Sequence, residues 1–184
     1  MTERHRPAIV LIGYMCVGKT TIGRLLARQL GCTFYDLDWY IEERYHTTVP
    51  QIFATEGEAA FRDKERRMLH EVAEFQNIVL ACGGGTPCHF DNMEYLRSVA
   101  TTIYLHATPQ TICHHLALSK GERPLLAGKT EDELHHFVST QLAEREPYYK
   151  QAAHTLLIDP LETGKEVERA VEAILQLLQE NPAN

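Results

Sequence analysis

The sequence predicts an α/β fold in three layers, a parallel sheet with helices on both faces. Two observations carry this. Several short runs are apolar without alternation: Ala8-Ile-Val-Leu-Ile12, Ile78-Val-Leu-Ala-Cys82 and the run from Thr101 to His106. Strands buried on both faces read this way, whereas a half-exposed strand alternates. The stretches between them place apolar residues at helical spacing, as in Ile22, Leu25, Leu26 and Leu30, or Val167, Val171, Ile174, Leu175 and Leu178. Alternation of the two patterns builds a parallel sheet, because every parallel crossover needs a helix. With 184 residues, 44% hydrophobic and 23% charged, the chain suits one domain over 1–184 with a full core.

Taken in order, 8–12 is the first strand and 20–30 the first helix, with Gly31 as its stop. A short second strand covers 33–35. Helices follow at 39–45, from Pro50 with Thr48 as its cap, and at 58–75, where Phe61, Met68, Leu69 and Val72 share a side. The third strand, 78–82, ends in three glycines. The fourth covers 101–106, the fifth 155–158, and the last helix 166–178. Between the fourth and fifth strands, Thr130 and Glu133 form a capping box for a further helix. Ahead of that cap, Gly121 and Gly128 bracket a charged segment, which suggests a movable loop or an ordinary turn.

Composition removes several classes of function. The net charge of -7, from 18 Lys and Arg against 25 Asp and Glu, argues against nucleic acid or a membrane surface as the main partner. The longest apolar run is far too short to span a bilayer, and no secretory leader precedes it. Five scattered cysteines without a C-x-x-C pair point to free thiols in a cytoplasmic, reducing setting. No zinc-ligand spacing occurs, and the doublets His114-His115 and His135-His136 point to different helix faces. No apolar stripe calls for a partner copy, so a monomer is expected.

Residues 13–20, GYMCVGKT, fit the phosphate-loop pattern G-x-x-x-x-G-K-[ST], with a buried strand before and an amphipathic helix after. Backbone N–H groups of such a loop wrap phosphates, and the helix N-terminus adds positive potential. Lys19 is placed to reach the terminal phosphates and Thr20 to ligate Mg²⁺. No Asp closes the third or fourth strand, and no Asn-Lys-x-Asp element for reading guanine is present. Instead Asp36 and Asp38 follow the second strand. In extended chain their spacing sends both carboxylates the same way, one for the metal's water shell and one for an acceptor hydroxyl.

Further on come F-x-x-x-G-E-x-x-F-R-x-x-E over 53–65, Gly83-Gly84-Gly85, RPLL from Arg123, and R-x-P-x-Y from Arg145. Taken with the phosphate loop and D-x-D, in this order and at these spacings, the set resembles shikimate kinase, a phosphate-loop kinase of the nucleoside monophosphate kinase-like branch. The resemblance runs from Ile9 to about Ala173. It implies a five-stranded parallel sheet in the order 2-3-1-4-5, a substrate-binding segment at about 38–65 and a mobile lid at about 119–131. The implied reaction takes ATP and shikimate to ADP and shikimate 3-phosphate, a step toward chorismate and the aromatic amino acids, with Mg²⁺ as cofactor.

Residue by residue, the resemblance implies nucleotide contacts from Gly13, Cys16, Val17, Gly18, Lys19, Thr20 and Thr21, with Arg123 closing onto the phosphates. Asp38 would bind the substrate hydroxyls and take or orient the proton of the attacking one. Asp36 would stand with Thr20 at the metal. Arg62 and Arg145 would clamp the substrate carboxylate beside Gly83, Gly84 and Gly85, with Glu65 steadying the clamp and Phe53 and Phe61 lining the ring pocket. Lys19, Asp38 and Arg123 would carry the catalysis. The chemistry agrees: a carboxylate wants the planar fork of Arg, and hydroxyls want a carboxylate acceptor.

The chain departs from the family pattern at two places. Cys16 stands where the family commonly has Gly, and its place beside Lys19 makes it an expected site of ATP-protected alkylation. Leu116 stands where the family often carries an adenine-stacking Arg, which leaves adenine an apolar rest near 159–163. Two other readings stay open: a related small-molecule kinase such as a gluconate kinase, and a nucleotide-binding regulatory protein without catalysis.

Overall fold

The computed structural model describes residues 7–118, 129–158 and 160–180. Five strands, β1 (Ala8–Ile12), β2 (Thr33–Asp36), β3 (Ile78–Ala81), β4 (Ala100–His106) and β5 (His154–Leu157), form one sheet in the order β2-β3-β1-β4-β5. Every strand pair is parallel. The helices are α1 (Lys19–Leu30), α2 (Leu37–Tyr45), α3 (Val49–Ala73), α4 (Asn92–Val99), α5 (Pro109–Leu118), α6 (Glu131–Tyr149) and α7 (Gly164–Glu180). The predicted class and strand order both hold. All of β1 and β3 is buried, as unbroken apolar runs require. Among the described residues no helix is long and apolar enough to cross a membrane.

The order places β1 between β3 and β4. The chain moves to one side of β1 for β2 and β3, then crosses to the other for β4 and β5. Such a reversal opens a crevice beyond the carboxyl end of the central strand, where ligands of α/β sheets bind. The loop from Gly13 to Gly18 leaves β1 into that crevice. The glycines 83–85 leave β3 beside it, since the Cys82 N–H still bonds to the Leu11 carbonyl at 3.1 Å. Helix α1 lies close to β2 because residue 23 is Gly, where a Cβ would come within 2.5 Å of the Phe34 ring.

Three elements differ from the sequence expectations. Helix α2 begins at Leu37, because the Asp36 side chain caps it by accepting the Asp38 N–H at 3.2 Å. Asp38 is therefore helical, and the two acids do not share an extended strand. The helix expected at 58–75 joins the one opened behind Thr48, whose capping box with Gln51 is formed, into the single run α3. That run is broken at Gly57, with φ 84 and ψ 173. Strand β5 starts one residue earlier than expected, at His154, and ends at Leu157. The capping box of Thr130 and Glu133 opens α6 as expected. Residues 119–128, with Arg123 and most of the expected lid, lie outside the described residues, as does Asp159.

The Gly57 break separates the turns bearing Phe53 from those bearing Phe61, Arg62 and Glu65. A Cβ at 57 would meet no atom within 4 Å, so conformation alone selects glycine there. Gly57→Ala should lower the unfolding free energy by about 1–2 kcal/mol. Urea denaturation checks this, and an unchanged midpoint would show that the break tolerates a side chain.

Candidate active site

The phosphate loop is shaped by residues with positive φ: Gly13 at 140, Cys16 at 62 and Gly18 at 91. Gly18 is the N-cap of α1 and offers no side chain to its N–H groups. That end of the helix is thus open to an anion. Lys19 Nζ folds back over the loop, donating to the Gly13 carbonyl at 2.9 Å and the Tyr14 carbonyl at 2.7 Å. Burial lowers the pKa of Lys19 to about 8, against the opposing pull of Asp38, Cys82, Asp36 and Cys16.

Thr20 Oγ1 donates to Asp36 Oδ2 at 2.9 Å, while Asp36 Oδ1 holds the start of α2. One carboxylate thus ties the phosphate loop to the segment carrying Asp38. Burial raises Asp38 to about 6, helped by the nearby charges of Asp36 and Glu65 and opposed by Lys19. Thr20 and Asp36 fit Mg²⁺. This ion keeps much of its water and takes one or two protein oxygens beside substrate phosphates. Among the described residues no group of three or more His, Cys, Asp and Glu could cage a metal, and an ion carried by phosphates needs none.

The three glycines after β3 let their surroundings approach closely. A Cβ on Gly83 would lie 3.2 Å from Asp38 Oδ1 and 3.4 Å from Glu65 Oε1. On Gly84 it would meet the Met15 backbone N at 3.3 Å and Arg145 Nη1 at 3.5 Å, and on Gly85 it would strike Arg62 Nη2 at 2.8 Å. These four side chains and the phosphate loop therefore converge on one bare stretch of backbone. Beneath it Glu65 is only 1% exposed. Glu65 accepts from Arg62 Nη1 at 2.8 Å and from Thr86 Oγ1 at 2.5 Å, and the Thr86 carbonyl accepts from Asn92 at 2.8 Å. Arg145 is steadied by Gln141 Oε1 at 2.8 Å and lies over the Tyr14 ring at 5.3 Å. The Tyr149 hydroxyl donates to the Gly84 carbonyl.

Phe53 and Phe61 pack with ring centroids 4.6 Å apart. Phe61 is 3% exposed and supports its neighbour, whereas Phe53, 38% exposed, presents the open face. On the other side of the phosphate loop a cavity of about 400 Å³ is lined by Cys16, Gly18, Lys19, Thr20, Thr21, His115, Leu118, Leu161 and Val167. Val17 is buried and does not line this cavity. Leu116 is buried in the core, whereas Leu161, within the expected 159–163 stretch, lines this cavity together with Leu118 and Val167. The sequence pointed to 159–163 but not to Leu118, Val167 or His115 as walls, because a cavity lining of this kind carries no motif. The histidine doublet was visible, but its spacing said nothing of its role.

A family model described as shikimate kinase matches residues 15–179. A shikimate kinase of Bacteroides fragilis is 48% identical over 170 residues, covering 92% of this chain and 95% of that one. The crystal structure of shikimate kinase from Bacteroides thetaiotaomicron superposes with a TM-score of 0.90 at 46% identity, over 94% of this chain and 98% of that one. Shikimate kinase from Acinetobacter baumannii, solved in complex with shikimate, gives a TM-score of 0.81 at 34% identity, over 97% of this chain and 96% of that one. With the phosphate loop, the acids and the arginine-flanked glycines all in one crevice, the chain belongs to the shikimate kinase family.

Proposed function

We propose that this protein transfers the γ-phosphoryl group of ATP to the 3-hydroxyl of shikimate, giving shikimate 3-phosphate and ADP. The observation that carries the reading is the convergence of Asp38, Arg62 and Arg145 on the 83–85 backbone, next to the phosphate loop. Two guanidiniums beside one backbone suit a carboxylate, held by the bidentate forks that Arg provides. The relative solved with shikimate supports the same substrate. A gluconate kinase or a silent nucleotide-binding protein is less well supported, since the arginine pair and the poised Asp38 both have a use in phosphorylating a cyclic carboxylate.

Asp38, at about 6, is ionised at neutral pH yet basic enough to take the proton of the attacking hydroxyl. That oxygen then bonds to the γ-phosphorus as the bond to the β-phosphate oxygen breaks, and ADP leaves with the electron pair. Lys19 and the loop N–H groups meet the charge on the phosphates. Arg62 and Arg145 fix the ring so that the hydroxyl faces the phosphate, which is the main contribution the protein makes to such a loose transition state. Mg²⁺, held by Thr20 and through water by Asp36, would neutralise charge on the phosphates. Arg123, outside the described residues, would complete the phosphate site from a lid at about 119–131. We take 1–184 as one kinase domain with its substrate segment at about 38–65, acting as a cytoplasmic monomer. Free thiols at all five cysteines and the scatter of exposed large apolar side chains over separate elements support this.

Asp38→Asn should cut kcat by about 10²–10⁴-fold in an ADP-release assay with shikimate. The same change should stabilise the fold at neutral pH. Since the folded pKa of Asp38 is raised from 3.8 to about 6, the folded state binds the proton more tightly. The stability this gives is present below pH 4 and lost as pH rises through about 6. Asp38→Asn should therefore exceed wild type by about 2–3 kcal/mol at neutral pH and lose that advantage in acid. Denaturation at both pH values reads this, and equal curves would remove the buried-charge account.

Lys19, at about 8 without ligand, should be driven back to full charge by phosphates. ADP binding above that pH should take up a proton, and affinity should fall as pH rises. Calorimetry in buffers of different ionisation heat measures the uptake, and a heat independent of buffer would show Lys19 charged throughout. Replacing Arg62 or Arg145 by Lys should raise KM for shikimate by about 10–100-fold, as expected for a lost charge-assisted hydrogen bond, with KM for ATP little changed.

A further inference from the structure

His115, on α5 and 8% exposed, joins two loops that are remote in sequence. Its Nδ1 lies 2.8 Å from the Cys16 carbonyl, and the Leu161 N–H points to its Nε2 at 2.8 Å. A backbone N–H can only donate, so Nε2 carries a lone pair. The single ring proton is then on Nδ1 and donates to the Cys16 carbonyl. The imidazole is thus neutral and in one tautomer, with both nitrogens used.

Each residue it holds is a wall of the nucleotide cleft. Cys16 has φ 62, a left-handed conformation that disfavours a non-glycine residue and needs its surroundings to maintain it. Leu161 leans on the last glycine of the phosphate loop, where a Cβ on Gly18 would come within 2.4 Å of Leu161 Cδ1. The next two N–H groups, of Glu162 and Thr163, both bond to Glu166 Oε2 at 2.7 Å. Glu166 therefore anchors one half of this loop to α7, and His115 anchors the other half to the phosphate loop. The exposed contact of His114 with Glu162 at 2.9 Å adds little.

We propose that His115 is a positioning residue for nucleotide: a neutral imidazole latch that fixes the strained Cys16 peptide and the Leu161 wall relative to each other. Phosphates and base then meet one rigid unit. The latch deepens the assignment of this cleft to ATP and rests on it. It predicts a selective defect, because the residues that face shikimate, Arg62, Arg145 and the 83–85 backbone, make no contact with His115.

The test compares wild type with His115→Phe, which keeps a ring and removes both nitrogens, and with His115→Asn and His115→Gln. The amide of Asn is placed to bond to the Cys16 carbonyl, that of Gln to the Leu161 N–H. For His115→Phe, Kd for ADP and KM for ATP should rise by about tenfold, the effect of losing one to two hydrogen bonds, while KM for shikimate stays within about twofold. Asn and Gln should each recover part of the loss. In wild type, ¹⁵N NMR of the imidazole should show a protonated Nδ1 and a bare Nε2. Equal rises in both KM values, unchanged ATP parameters, or a proton on Nε2 would overturn the latch. If His115→Phe does not fold, the two amide variants and the tautomer decide. ADP titration of wild type separately tests the cleft: no binding there would sink the ATP assignment, while the tautomer still reports on the latch.

Discussion

Glu65 is the charge around which the substrate side of the crevice is built. A carboxylate buried this deeply is tolerated only if its oxygens are paired. One oxygen takes the Arg62 guanidinium and the other the Thr86 hydroxyl. Arg62 belongs to α3 and Thr86 to the turn after β3, so satisfying Glu65 locks the helix to the glycine stretch. Asn92 carries the fixation on to α4 through the Thr86 carbonyl, and Tyr149 fixes the Gly84 carbonyl from α6. Replacing any one member would leave a buried polar group unsatisfied, which costs more than the bond itself contributes. Arg62 and the 83–85 backbone are in this way held by groups buried behind them.

The phosphate side depends on the sheet in a different way. β1 is buried along its whole length, and its loop is aimed by the reversal of strand order on either side of it. Fixed direction lets the loop carry a residue as unfavourable as left-handed Cys16. The same crevice holds Asp38 against its solvation preference. Strain at residue 16 and desolvation at residue 38 are both kept in place by the surrounding core.

Much of this was legible in the sequence because the signals were strong and local. Unbroken apolar runs marked the buried strands, and the phosphate loop carried its own pattern. Thr48 and Thr130 announced their helices by capping chemistry. The D-x-D spacing reads as extended chain past Asp36, whereas the Asp36 side chain caps a helix that starts two residues before the predicted one. The break at Gly57 was hidden by helical spacing continuing on both sides of it. Leu116 looked like a ligand contact by position, but the helical turn sends it into the core and leaves His115 and Leu118 facing the cleft. Walls of that kind are made by tertiary packing of α5, α7 and the loop before α7, and no local pattern encodes them.

Among the described residues, the side chains gathered in the crevice balance. Lys19, Arg62 and Arg145 stand against Asp36, Asp38 and Glu65, while Lys19 at about 8 and Asp38 at about 6 both keep their charge at neutral pH. These side chains therefore exert little net pull, and the chain around them is acidic. A small anion is drawn there by the N–H groups at the start of α1 and gains little from the side-chain charges. An anion is retained there when its shape meets the donors at several points at once, so selectivity against common salts comes from matching charge with countercharge before any ligand arrives.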